Sequence, residues 1–289
     1  MLNRKMSFIN MFRNLCLAFV SLSVISSYAY AGDLDNSKLY QKIKKQGYIT
    51  AGVSDNAPGN GYLDPTTNEY RGYEIEISKI IADKLGVPVK FVTITPINRL
   101  PYLEDGTIDM LIANFTITEE RKKVLDMTVP YYTDHVSVLV EKKSGIKSLE
   151  DLLGTQIAVI RNTSSPLALV QELINQELIK KPDGFSETNF DPAKWTEGVT
   201  FKIYDDFKAV NKDLSRKKIA GFCIDKSVLQ IYKNIRRTYI KDEFSPQPYG
   251  IAFKKDSGLV DFVDGIIEEL KQDGTLKKLC AENEISYTE

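Results

Sequence analysis

The sequence predicts an α/β protein of two lobes, each a central sheet flanked by helices, joined by two extended hinge segments. Three observations predict it. Short apolar strands alternate with helices of amphipathic spacing. The alternation runs once, breaks at an extended run and then restarts. The chain has 289 residues, 43% hydrophobic and 27% charged, with 17 Gly and 11 Pro. That composition suits folded lobes and excludes a collagen-like, low-complexity or wholly disordered chain.

The chain opens with Arg4, Lys5 and Arg13, an apolar run from Leu15 to Ile25, and a small-x-small step at Ala29-Tyr30-Ala31. This order reads as a secretory signal peptide cut after Ala31, which makes the product periplasmic. The apolar run is well short of the ~20 residues that a spanning helix needs. Removing residues 1–31 takes three positive charges and no negative ones, so the net charge moves from −1 to −4. An oxidising compartment permits a disulfide. Nothing in the sequence brings Cys223 and Cys280 together, so two small buried thiols are expected.

Leu39 and Ile43 give one face of a short helix that Gly47 ends. YITAGV (48–53) is a strand, followed by a turn-rich loop through Asn56-Ala57-Pro58-Gly59-Asn60-Gly61 and Asp64-Pro65. Gly72 precedes a helix with Ile77, Ile80, Ile81 and Leu85 on one face, closed by Gly86. VPVKFVTI (87–94) is a strand, Arg99 to Glu104 a short helix, and IDMLIA (108–113) a nearly all-apolar strand of the kind buried on both faces. After Tyr131-Tyr132 an extended run, HVSVLV (135–140), leads away. In the second set, Ser148 and Asp151 make a capping box before a short helix. Residues 156–160 form a strand, and Pro166 opens a helix carrying Leu167, Val170, Leu173 and Ile174. Residues 180–198 are a polar insertion holding Trp195, the single tryptophan. Residues 199–204 and 219–224 are strands, each followed by a helix. YGIAF (249–253) is the second extended run, and two C-terminal helices are split at Gly274. The chain divides into a signal peptide (1–31), a discontinuous first lobe (32–138 and 246–289) and a second lobe (139–245).

Lys plus Arg is 38 against Asp plus Glu 39, which gives no electrostatic case for a nucleic-acid partner. One His and three Cys argue against a His/Cys metal site, and no cofactor is called for. In open α/β sheets, ligands lie at the carboxyl ends of strands, and pockets favour domain interfaces. After 108–113 comes Asn114-Phe115-Thr116-Ile117-Thr118-Glu119-Glu120-Arg121. Hydroxyls, backbone N–H groups and a guanidinium within eight residues suit a carboxylate, because Arg grips both oxygens in a fork. After 156–160 comes Arg161-Asn162-Thr163-Ser164-Ser165 running into a helix, an anion site by its free N–H groups. After 219–224 comes Asp225, able to hold an ammonium. Each piece also has a plainer reading. Thr118, Thr163 to Ser165 and Asp225 suit helix caps, and Arg121 suits a solvated first turn. Glu74 and Glu76 favour the dipole of their helix and receive no ligand role. His135 reads as structural. An anion grip from each lobe plus one carboxylate is, in combination, a zwitterion receptor.

Several stretches, in order, resemble the periplasmic substrate-binding proteins of polar amino-acid ABC transporters, solute-binding protein family 3. They are Tyr48 to Val53, Arg71 to Ile77, Asp105 to Met110, Phe115 to Arg121 with Tyr131-Tyr132, Ser148 to Gly154, and Pro248 to Ala252. The resemblance implies a two-lobed fold closing on one amino acid, without chemistry, as a monomer that serves an inner-membrane ABC permease. It implies that Arg121 clamps the α-carboxylate with Thr116 and the backbone at Asn114, that Thr163 and Ser164 add donors, and that Asp225 holds the α-ammonium. Asn98-Arg99-Leu100-Pro101 is similar to a segment of the glutamate- and aspartate-binding branch, in which the Arg meets the side-chain carboxylate. A second basic residue common in that branch is replaced here by Ser54. Acidic amino acids are the first expectation, glutamine and asparagine the next. The alternative is an exported cyclohexadienyl dehydratase on the same fold, with Asp225 or Glu74 as its acid.

Overall fold

The computed structural model describes residues 34–287. The signal peptide read at 1–31 lies outside the described residues. Helix α1 (Lys38–Gln46) starts where Ser37 Oγ accepts the Tyr40 N–H, and ends at Gly47 with φ +78°. Strand β1 (Ile49–Val53) follows, almost wholly buried. The turn-rich loop folds into a small antiparallel sheet of β2 (Asn56–Ala57), β3 (Gly61–Leu63) and β4 (Tyr70–Arg71). Turn residues dominate these pairs, so sequence alone read them as loop. Helix α2 (Tyr73–Leu85) buries Tyr73, Ile77, Ile81 and Leu85, a four-residue spacing that turns one face to the sheet.

Next come β5 (Val89–Thr93), α3 (Arg99–Glu104), β6 (Met110–Leu111), α4 (Glu119–Val124) and β7 (Leu125–Met127). With β14 (Ala252–Lys254) they complete the first sheet, in the order β5-β1-β6-β14-β7. The strands β5, β1 and β6 run parallel, so β1 and β6 deliver their carboxyl ends to one edge. The strand expected over 108–113 pairs only at 110–111, although Ile108, Ile112 and Ala113 are buried beside it.

The chain crosses to the second lobe in β8 (Tyr132–Glu141) and returns in β13 (Phe244–Tyr249); the two pair antiparallel. The boundaries expected at 138/139 and 245/246 fall inside these strands. The second sheet runs β10 (Thr200–Tyr204), β9 (Gln156–Ile160), β11 (Gly221–Asp225), β8 and β12 (Arg237–Tyr239), with β13 on β8. Strands β9, β10 and β11 are parallel. Helices α5 (Ser165–Asn175), α6 (Phe207–Ser215) and α7 (Lys226–Gln230) flank it, and α8 (Val260–Gln272) and α9 (Thr275–Glu282) return to the first lobe. The expected run 249–253 is two strands, because Gly250 and Ile251 leave one sheet for the other. Residues 180–198 carry one 3-10 turn and cluster Phe185, Phe190 and Trp195, with Phe190 against Phe201, at ring-centroid distances of 5.4–6.3 Å. Cys223 and Cys280 are buried free thiols, as expected.

Candidate functional site

The carboxyl ends of β1, β6, β9 and β11 converge on a cavity of about 570 Å³ between the lobes. All seven residues expected at the site line it: Arg99, Asn114, Thr116 and Arg121 from the first lobe, and Thr163, Ser164 and Asp225 from the second. A larger hollow of about 690 Å³ on the outside of the first lobe contains none of them.

Arg121 is set by its helix start. Thr118 caps α4 by accepting the Arg121 N–H at 3.2 Å. The guanidinium folds back and donates through Nη1 to the Thr116 carbonyl at 2.6 Å. It lies over the Phe115 ring at 4.0 Å, and the Arg99 guanidinium lies against the same ring at 4.6 Å. Burial lowers the Arg121 pKa to about 10, opposed by the charge of Asp225. Arg99 is buried, and burial followed by the neighbouring Arg121 pushes its pKa well down. Its Nη2 donates across the cleft to the Asn162 carbonyl at 2.6 Å.

Asp225 ends β11 at the position before α7, but its side chain makes no capping hydrogen bond. The plainer reading of Asp225 as a cap is therefore corrected. Its Oδ2 instead lies 2.6 Å from the Tyr249 hydroxyl. Burial and then Asp134 raise its pKa, against the Tyr249 hydrogen bond and the two guanidiniums. Thr163 Oγ1 donates to the Ile160 carbonyl at 2.7 Å, and Ser164 Oγ donates to Gln247 Oε1 at 2.7 Å. Both hydroxyls line the cavity with their protons already engaged, and Ser164 Oγ lies 3.4 Å from Thr116 Oγ1. Three polar atoms on lining residues are buried without a protein partner: Arg99 Nε, Asn114 Nδ2 and Asp225 Oδ1. Buried polar groups are rarely left unpaired, so two donors and one acceptor here are aimed at something other than protein.

Sequence reasoning gave Glu74 no ligand role and named it only as a candidate acid of the enzyme alternative. It is fully buried, and its Oε1 accepts the Asn114 N–H at 2.8 Å and the Tyr131 hydroxyl at 2.6 Å. Asn114 stands at φ +47°, which turns its N–H inward to that carboxylate. Glu74 and Glu76 stand in the first turn of α2 as expected, but the Glu74 carboxyl is turned inward to Asn114 and Tyr131. Asp134, Gln247 and Tyr249 were given no role either, although Tyr249 lies in the Pro248 to Ala252 stretch that carries the resemblance; each stands on a linking strand.

Residues 49–282 match the bacterial extracellular solute-binding proteins, family 3, and the chain belongs to that family. Among its relatives is the ABC transporter glutamine-binding protein GlnH of Bacillus subtilis. That protein is 32% identical over 237 residues, 80% of this chain and 79% of GlnH. A mutant of ArgBP from T. maritima superposes with a TM-score of 0.69 at 27% identity, over 85% of this chain and 98% of its own. The ancestral amino acid-binding protein AncCDT-1, a precursor of cyclohexadienyl dehydratase, superposes with a TM-score of 0.68 at 26% identity, over 84% of this chain and 98% of its own.

Proposed function

We propose that this protein captures an acidic L-amino acid, glutamate or aspartate, with glutamine or asparagine as weaker ligands. Arg121 grips the α-carboxylate with Thr116 and Asn114 beside it, Asp225 takes the α-ammonium, and Arg99 meets the side-chain carboxylate. Thr163 and Ser164 shape the wall from the second lobe. One observation carries the reading: the inner cavity holds two guanidiniums, Arg99 and Arg121, against one carboxylate with an unpartnered oxygen, Asp225. With Asp225 as the carboxylate that meets an ammonium, this inner part of the lining carries one net positive charge, while Asp205, Asp206 and Lys208 line the exposed mouth. A dicarboxylic amino acid brings the opposite single charge, whereas arginine or lysine adds a like charge. The outer charges are already engaged: Arg161 pairs with Asp205 at 2.6 Å, and Asp206 caps α6.

Ligand held by both lobes favours the closed form, because its contacts differ between the open and closed states. The closed form then presents the amino acid to an ABC permease in the inner membrane, with the signal peptide removed after Ala31. In the enzyme alternative Glu74 does not reach the cavity, since it sits behind Asn114 and off the lining. A thermal-shift screen of the twenty amino acids tests the reading, since a ligand that binds only the native state raises the melting temperature. Glutamate or aspartate should give the largest shift, and Arg99→Met should erase their advantage over glutamine. The largest shift with arginine or lysine overturns the assignment, and prephenate turnover by the purified protein overturns the non-enzymatic reading.

A further inference from the structure

A buried hydrogen-bonded chain joins the first lobe to the ammonium acceptor. Asn60 Nδ2 donates to Ser227 Oγ at 3.1 Å, and the Ser227 N–H donates to Asp134 Oδ2 at 3.0 Å. The Tyr249 hydroxyl lies 3.1 Å from that same Asp134 oxygen and 2.6 Å from Asp225 Oδ2. All five residues are buried, Tyr249 completely. Asp134 stands on β8 and Tyr249 on β13, the two strands that link the lobes. Asp134 does not line the cavity.

A phenol carries one proton. It can serve one of the two carboxyl oxygens, and the second contact then needs a proton from a carboxyl. Two ionised carboxylates meeting at one hydroxyl in a dry setting repel, and such a pair titrates as a unit. The donors are unequal. Asp134 accepts backbone N–H groups from His135 at 2.8 Å and from Ser227, whereas Asp225 Oδ1 has no partner. Asp225 is therefore the better place for the proton.

We propose that Asp134 is a positioning residue for the binding site: set against Asp225 across the Tyr249 hydroxyl, it keeps a proton on Asp225, and capture of a ligand ammonium at Asp225 releases that proton to solvent. The inference rests on reading Asp225 as the ammonium acceptor. In the release step the Asp225 O–H bond breaks, the proton passes to buffer, the Tyr249 hydroxyl becomes a donor to Asp225, and the ammonium pairs with the carboxylate so formed. The surrounding groups allow it. Arg121 and Arg99 face Asp225 across the cavity and favour its ionised form, while Asp134 opposes it. The Cys223 thiol lies behind Asp225, held neutral by burial and by that carboxylate. Tyr239 of β12 faces Asp134 and is itself pushed up by burial and by that charge. Lys226, next in sequence to Asp225, pairs with Glu243 instead.

Calorimetric titration with L-glutamate, in buffers of different ionisation enthalpy between about pH 6 and about pH 8, reads the released proton directly. The wild-type enthalpy should depend on the buffer with a slope approaching one proton at the acid end, and affinity should weaken by up to about tenfold per pH unit there. Asp134→Asn, which keeps the acceptor and removes the charge, should flatten both trends, whereas Tyr249→Phe, which removes the hydrogen bond that favours the ionised Asp225, should move them to higher pH. A buffer-independent wild-type enthalpy overturns the proposal, and so does release that is unchanged in both variants. If no amino acid binds, the ammonium reading fails separately. Carbonyl 13C titration of the ligand-free protein then decides the proton on Asp225. Asp225 should titrate well above ordinary carboxylates and move down in Asp134→Asn, and an ordinary Asp225 titration overturns the proposal.

Discussion

Arg121 and Asp225 stand on opposite lobes to meet opposite ends of the ligand, and each is held by its own local structure. Thr118 fixes the start of the helix that aims Arg121, and the end of β11 fixes Asp225. Removing one partner of a desolvated pair leaves the ligand's charge unmet, which costs roughly 2–5 kcal/mol. Arg121→Ala and Asp225→Ala should each weaken glutamate binding by roughly 30-fold to several thousandfold. Calorimetry that still finds the wild-type affinity in either variant removes that residue from the site. Both residues were legible because their chemistry shows in their type and in their place after an apolar strand. Glu74 was not. An acid in a first helical turn ordinarily faces solvent and the helix dipole. Its burial depends on Asn114 turning its N–H inward at φ +47°, a backbone choice that no residue type announces.

The elements that aim these side chains were readable where they are long and periodic, as in α2, α5 and α8. They were not where pairing is brief. Strands β2, β4 and β6 have two residues each, and β7 and β12 three, too few to show a period. Helix α2 makes two testable demands. At its start Gly72 stands at φ +127°, and a Cβ there would lie 2.1 Å from the Asn60 carbonyl oxygen. Gly72→Ala should therefore destabilise the protein by roughly 2–4 kcal/mol, seen as a lower urea midpoint; an unchanged midpoint shows that the Asn60 turn is free to move. One residue into the helix, burial raises the Glu74 pKa to about 7 against its hydrogen bonds to Tyr131 and Asn114. The folded state thus keeps a proton that the unfolded chain loses from about pH 4.5 upward, so stability falls as pH rises through that window. The loss is on the order of 3 kcal/mol by pH 7. Glu74→Gln should flatten the melting-temperature profile between about pH 5 and about pH 8, and an unaltered profile assigns the slope to other groups.

At the scale of the molecule, the two lobes touch through few bonds that do not involve a ligand. Asn60 Nδ2 to Ser227 Oγ at 3.1 Å and Arg99 Nη2 to the Asn162 carbonyl at 2.6 Å both cross the cleft. Only the Asn60 bond lies away from the cavity lining, so it can be cut without touching the ligand contacts. Its loss lowers the share of ligand-free molecules that are closed. Apparent affinity falls in proportion to that share when the closed form is the competent one. A buried neutral hydrogen bond contributes about 1 kcal/mol, which sets the expected weakening at about fivefold. Asn60→Ala and Ser227→Ala should each show it, and the double variant should be little weaker than either single one, because both remove the same bond. Small-angle scattering of the ligand-free variants should give a larger radius of gyration, and saturating glutamate should restore the wild-type value. Additive losses in the double variant, or a radius that does not change, would mean that this bond plays no part in holding the lobes together.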